Sequence, residues 1–382
     1  MSVRARDEHG YRRTTATWVA FAALFAFGLL NAMLGPVLPY LRRAEHISYV
    51  VGALHQVSFA VGGMTAGILA TRSSAPRRRT IALGLTGAAL AGLLLAYGGI
   101  LPATIPAALL ISAFGTAALI RTWALLSDLH PAHRAVAMTE GEVAVSLAGV
   151  ATPALVSVCA AMWVGWRFSL AVAAVLVIGA AIAAGTANIN DRGRPQPSVG
   201  PRPSRQPARR TLTTIFAVVG LEFSLSFWAA SYLHDDVGIA RDTAVALVSA
   251  LYAANLAGRL VASRIARRLS APVLLRLSLA TALVGVPILL TASGVAVAGV
   301  GLVVTGIGIG GTFPLASSLH VAASRRTADQ ALGQILTVAG IGQIAGPLTA
   351  GVVAQVTTGL RLGLLVLPAL AVLAAVTTRP SG

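Results

Sequence analysis

Four charged side chains stand well inside long apolar runs of this chain, away from their ends: Arg121, Glu140, Glu142 and Glu222. A charge at mid-bilayer costs at least ~2.5 kcal/mol on insertion scales, so such residues are usually paired or carry a task. A carboxyl removed from water can bind a proton from one compartment and release it to another. Glu222 is the first candidate for a proton or substrate site, with Trp228 and Tyr232 further along the same run. The competing reading is a structural carboxyl satisfied by hydrogen bonds. Glu140 and Glu142 are two residues apart. On a helix they point roughly 200° apart, so they serve different partners.

Arg121 is always charged and needs an anion or a route to the interface. Its expected partners are Glu140 or Glu142 on the next run; an anion site is the alternative. His55 and Gln56 fall mid-run. His55 either titrates near neutral pH or sits neutral against a backbone carbonyl. Asn31, Pro36 and Asn255 are further polar or kinking marks that could line a path.

Several chemistries are excluded. All 29 basic residues are Arg. There is no P-loop lysine and no lysine for a Schiff base. Cys159 is the single cysteine, so no internal disulfide forms. His130 and His133 lack a third ligand nearby for a metal. The run Gly-Ile-Gly-Ile-Gly-Gly from 306 to 311 follows no soluble strand and reads as a packing or kinking element. No His/Asp/Ser cluster lies near the interface, as an enzyme of lipid chemistry would need. We expect no enzyme activity, no cofactor and no metal.

The elements that position these residues are helices in a membrane. The chain is 56% hydrophobic and 11% charged, with mean hydropathy +0.79. Soluble domains carry about 25% charged residues. Apolar runs near 17–41, 47–70, 80–99, 102–127, 135–162, 164–186, 211–233, 243–262, 272–292, 294–318, 330–354 and 361–377 make twelve candidate spans. Each reaches the roughly 20 residues a span needs. The chain reads as an all-α integral membrane protein. The first run is basic and then apolar, but too long for a signal peptide, and reads as a retained span.

The net charge of +17 could suggest nucleic acid. Its placement argues against that, since no basic face with interleaved aromatics occurs. With the N-terminus inside, the inner segments hold 22 Arg and the outer ones five, Arg42, Arg43, Arg167, Arg241 and Arg361. That asymmetry predicts both termini in the cytoplasm of a plasma-membrane protein. The Arg- and Pro-rich stretch 187–210 cannot bury a core and reads as a cytoplasmic linker. It separates bundles 17–186 and 211–377, with tails 1–16 and 378–382.

The bundles resemble each other. Pro153 and Pro347, Gly165 and Gly359, and Arg167 and Arg361 each stand 194 positions apart. A repeated six-span unit suggests a two-lobed carrier with a solute path between the lobes. Pro153, Gly346 and Pro347 mark small-residue stretches of spans 5 and 11, which can pack closely and bend.

Gly67-Ile-Leu-Ala-Thr-Arg72, followed by Arg77-Arg78-Arg79, resembles the loop signature of the major facilitator superfamily between spans 2 and 3. Gly258-Arg259-Leu-Val-Ala-Ser-Arg264 resembles its echo between spans 8 and 9. Gly165-Trp166-Arg167 and the run from Arg134 to Met138 look like that superfamily too. The resemblance covers about 17–377. It implies twelve helices in two six-helix bundles, with spans 1 and 7 lining a central cavity. Gly67, Arg72, Arg77, Gly258, Arg259 and Arg264 would then form cytoplasmic gate loops. Thr71 stands where the signature has Asp, and Asp128 is the candidate substitute anion.

The resemblance implies a secondary transporter working by alternating access, with a small-molecule substrate and protons as partners. We expect a monomer in the bilayer. A largely apolar cavity with acidic groups favours proton-coupled efflux of amphipathic or cationic organic molecules. The alternative is proton-coupled uptake of a small polar solute or organic anion, with Arg121 as the contact. A non-transporting sensor is less favoured, because the cytoplasmic segments are too short for a signalling domain.

Overall fold

The computed structural model describes residues 12–72, 75–130, 133–188, 208–266, 268–324 and 328–378. Most of the expected linker and both outer tails lie outside these residues, as do the side chains of Thr71, Arg72 and Arg134.

Among the described residues, twelve helices are long and apolar enough to cross a membrane. In chain order the spans are Thr15–Glu45, Tyr49–Ala70, Arg77–Tyr97, Leu101–Leu129, Val136–Ala161, Arg167–Thr186, Arg209–Asp235, Arg241–Ile265, Ala271–Leu290, Val295–Ala323, Gln334–Thr357 and Leu360–Thr377. Spans 1–6 form one lobe and spans 7–12 the other. An even number of spans puts both chain ends on one face, called here the terminal face. In lipid every backbone polar group must be satisfied within the chain, which is why the apolar runs are helices. Several helices extend past the apolar core and carry Arg, Asp or Glu at their ends, which reach water there.

Spans 1 and 10 are each interrupted part-way along. Span 1 breaks between Asn31 and Leu34, and span 10 at Gly311. Proline has no backbone N–H, so the carbonyl one turn before it loses its donor. Pro36 leaves the Ala32 carbonyl without its helical partner, and Pro314 does the same for Gly310. Arg259 Nε fills the second vacancy, 3.3 Å from Gly310 O. The glycine-rich run therefore brings an arginine to a broken helix.

The lobes repeat each other in detail. Arg167 Nε donates to Ala96 O at 2.8 Å, and Arg361 Nη2 donates to Ala292 O at 3.3 Å. Each ties the start of one span to the end of another. Thr17 Oγ1 lies 2.8 Å from His130 Nε2, and Thr211 Oγ1 lies 2.8 Å from His320 Nδ1. Burial pushes the His130 imidazole below its usual range, against the opposing pull of Glu140.

Within lobes, glycines let backbones touch. A Cβ on Gly258 would sit 2.2 Å from Ile307 O, and one on Gly62 would sit 2.1 Å from Leu109 O. Nothing lies within 4 Å of that position on Gly67. The packing equivalent of Gly258 is thus Gly62, although the loop motif aligns Gly67. We expect Gly258→Ala to destabilise the protein by about 1–3 kcal/mol through overpacking. Gly67→Ala should not. Thermal unfolding of both variants in detergent checks this, and equal midpoints would refute it.

Candidate functional site

Between the lobes lies a cavity of about 700 Å³. Both interrupted spans face it, through Asn31, Ala32, Leu34 and Gly35 in span 1 and Gly311, Phe313, Pro314 and Leu315 in span 10. Its walls are mostly apolar, with Phe59, Phe223, Phe227, Tyr252 and Phe313 contributing rings.

Six polar groups of interest converge there: Asn31, Gln56, Glu142, Glu222, Asn255 and Arg259. Asn255 Nδ2 donates to Glu222 Oε1 at 3.1 Å, within the second lobe. Arg259 Nη1 donates to Glu142 Oε2 at 2.8 Å, across the lobes. Arg259 and Glu142 therefore neutralise each other. Glu222 has only the neutral amide as a hydrogen-bond partner, and no cation lies within 4 Å of it among the described residues. The cavity thus offers one carboxyl in excess of its cation.

The cavity opens toward the terminal face. Its lining follows span 8 through Leu260 and Ser263 to Ala266, beyond the helix end. On the opposite face the lobes are fastened together. Arg42 Nη1 lies 2.6 Å from Asp235 Oδ2, and Tyr49 Oη donates to the same oxygen at 3.0 Å. Tyr40 Oη donates to Asp242 Oδ1 at 2.6 Å, and Ser157 Oγ donates to Asp242 O at 2.8 Å. The Tyr49 backbone N–H donates to Gln355 Oε1 at 3.2 Å. The Arg42 guanidinium also lies 3.8 Å from the centre of the Tyr49 ring. Spans 5 and 8, and spans 2 and 11, pack together beneath this layer.

A model of the Major Facilitator Superfamily matches residues 20–347. The chain belongs to that superfamily. It is a multi-pass membrane protein, a transporter by family rather than an enzyme. Comparison with curated protein sequences finds no match. Solved structures are similar over nearly the whole length. A bacterial homolog of the human lysosomal transporter Spinster, inward-facing and occupied, has TM-score 0.76 at 14% identity, covering 97% of each chain. A D-xylose-proton symporter has TM-score 0.74 at 14% identity, covering 95% of this chain and 96% of its own. The nucleoside transporter NupG has TM-score 0.73 at 14% identity, with 96% and 98% covered. These likenesses show the superfamily fold.

Within that fold, the candidate residues separate into groups. Trp228 does not line the cavity; it is fully buried, and its Nε1 donates to Pro347 O at 2.9 Å, fastening span 7 to span 11. His55 is also fully buried, within the first lobe and away from the cavity. Glu140 pairs with Arg13 at the terminal face rather than entering the cavity. Arg121 is partly buried in span 4 and is absent from the lining. The arginine that reaches the cavity is Arg259, which the loop motif had placed at a gate.

Asp128 Oδ2 lies 2.7 Å from Arg77 Nη2. Both belong to the first lobe, so this pair ties span 4 to span 3 rather than one lobe to the other. The helices run unbroken through Pro153 and Pro347. At Gly346 a Cβ would sit 2.4 Å from Ser224 Oγ, so span 11 closes directly on span 7. Arg264 lies at the terminal end of span 8. Among the described residues no group of three His, Cys, Asp or Glu is placed to hold a metal.

Sequence reasoning missed the layer made by Tyr40, Arg42, Tyr49, Asp235 and Asp242. The signal available was opposite charge at the ends of spans 1 and 7. Asp235 was passed over because it lies outside the apolar runs, where a charge needs no special account.

Proposed function

We propose that this transporter exchanges protons for amphipathic organic cations and exports the latter across a plasma membrane. The excess carboxyl in an apolar cavity carries this reading. An arriving cation and a proton compete for Glu222, so each can leave only as the other binds. The aromatic and aliphatic walls accept the apolar body of such a molecule without stranding polar groups. The Arg-rich terminal face is the cytoplasmic one by the positive-inside pattern. The structure would then be open to the cytoplasm, the side from which an exporter loads.

A second reading has one observation in its favour. Arg259 reaches the cavity, so an organic anion could displace Glu142 from it, with a proton accompanying uptake. Arg121, the contact first expected for that reading, does not line the cavity.

Purified protein in vesicles holding a pH-sensitive dye separates the two. Addition of organic cations outside should alkalinise the lumen as protons leave in exchange. Acidification with organic anions would favour the second reading. No pH change across a panel of both would defeat proton coupling.

A further inference from the structure

Three side chains outside the cavity form a hydrogen-bonded thread through the first lobe. Glu45 stands at the opposite-face end of span 1 and is partly exposed. His55 in span 2 and Thr104 in span 4 are fully buried. Thr104 Oγ1 lies 3.1 Å from Glu45 Oε2 and 3.1 Å from His55 Nε2. His55 Nδ1 lies 3.3 Å from Val51 O.

The donors and acceptors permit few arrangements. A carbonyl only accepts, so His55 Nδ1 carries a hydrogen toward Val51. Thr104 has one hydroxyl hydrogen and three neighbours that can accept it: Glu45 and His55 at 3.1 Å each, and the Ile100 carbonyl at a longer 3.4 Å. If it points at Glu45, then His55 Nε2 must donate to Thr104, and the ring is an imidazolium beside a carboxylate. If it points at Nε2, the ring is neutral and Glu45 must donate to Thr104 as a carboxylic acid. Both arrangements satisfy the contacts to Glu45 and His55, and neither gives the Thr104 hydrogen to the Ile100 carbonyl at 3.4 Å. Both hold one proton more than a carboxylate with a neutral ring. Without that proton one acceptor faces another, and where the acceptor left over is the buried His55 Nε2 a desolvated group stays unpaired.

The fold does not require this thread. Gly62 against Leu109 matches Gly258 against Ile307 in the other lobe. Counting back from those contacts, His55 and Thr104 correspond to Leu251 and Leu302, both buried. The second lobe packs two leucines where the first places a histidine and a threonine.

We propose that Glu45, Thr104 and His55 form a proton-accepting relay that opens to the face opposite the chain termini and is separate from the cavity. A proton from that side joins the Glu45 carboxylate. The O–H bond of Glu45 then breaks as its hydrogen passes to Thr104 Oγ1. At the same time the Thr104 hydroxyl hydrogen passes to His55 Nε2. Thr104 ends with one hydroxyl hydrogen, and carboxylate plus imidazolium replace acid plus neutral ring. The total charge of the three groups is unchanged in that hop, while one positive charge passes from Glu45 to His55. Arg167, at the start of span 6, acts on Glu45 from a neighbouring span. Arg42, one turn earlier on span 1, is engaged by Asp235. The groups acting on His55 besides the relay are the backbones of Val51 and Gly52. The proposal is independent of the substrate and direction argued above.

Nitrogen-15 NMR of histidine-labelled protein in oriented proteoliposomes tests it, with His55→Gln assigning the signal. In the native protein the Nε2 resonance should lie between the neutral and charged limits and move with pH over about 5 to 8. A pH step applied only in the compartment facing Glu45 should move it. In Glu45→Gln there is no carboxyl to pass a proton to Thr104 and no negative charge to balance an imidazolium, so the ring should stay neutral at every pH in that range. Coincident spectra of native and Glu45→Gln protein would overturn the relay. So would a signal that follows only the other compartment. Thr104→Val removes the hydroxyl; persistence of the Glu45→Gln effect in that background would show a field effect and would overturn it too. Size-exclusion profiles establish that each variant is folded.

Discussion

Glu222→Gln should abolish substrate-driven proton movement while leaving the protein folded and inserted. The substitution keeps shape and the hydrogen bond, since the glutamine carbonyl still accepts from Asn255 Nδ2. It removes the ability to gain or lose a proton. In the native cavity Glu142 is engaged by Arg259, so Glu222 is the carboxyl left to exchange. Dye-detected proton flux in vesicles should therefore fall to the protein-free background. Substrate binding by a cation should weaken as well, because the excess negative charge is gone. Glu142→Gln makes the contrast: it frees Arg259 and should alter the pH profile without erasing flux. Native flux in Glu222→Gln would remove this residue from the mechanism.

Asp235→Asn should shift the protein toward a state open on the face opposite the termini. Asp235 holds two groups of the first lobe at once, Arg42 at 2.6 Å and Tyr49 at 3.0 Å. The amide cannot pair the guanidinium charge, which is left partly desolvated against the Tyr49 ring. A loss of about 1.4 kcal/mol from the closed form changes the population ratio roughly tenfold. Spin labels at His46 and Ala240, both exposed and on different lobes, report the separation. Cys159 is replaced first, to leave those two sites for labelling. The longer distance should gain population in Asp235→Asn, and more so when Asp242→Asn removes the Tyr40 contact. Distance distributions identical to the native one would mean that this layer does not hold the state.

The candidate site was only partly legible before folding. Glu222, Asn255, Gln56 and Asn31 stood out because polar groups in apolar runs are rare, and all four line the cavity. His55 stood out by the same rule but is turned into the lobe, because a residue's position along a helix does not say which way it faces between neighbours. Arg259 falls within the expected span 243–262 and its motif groups it with a gate loop; in the structure its side chain turns to the Gly310 carbonyl at the Pro314 break and into the cavity. Trp228 shares a run with the cavity-lining Glu222, but its indole N–H needs a buried acceptor and finds one on span 11.

The sequence by itself determined the twelve spans, the repeated six-span unit and the side on which arginine gathers. Span length and loop charge are local quantities, each measured directly against the thickness and potential of a bilayer. Tertiary structure alone decided which charges meet. Glu142 reaches Arg259 across 117 positions and Arg42 reaches Asp235 across 193. Those meetings depend on how closely glycine-lined helices approach and on where prolines break them, which are properties of the packed pair and not of either segment.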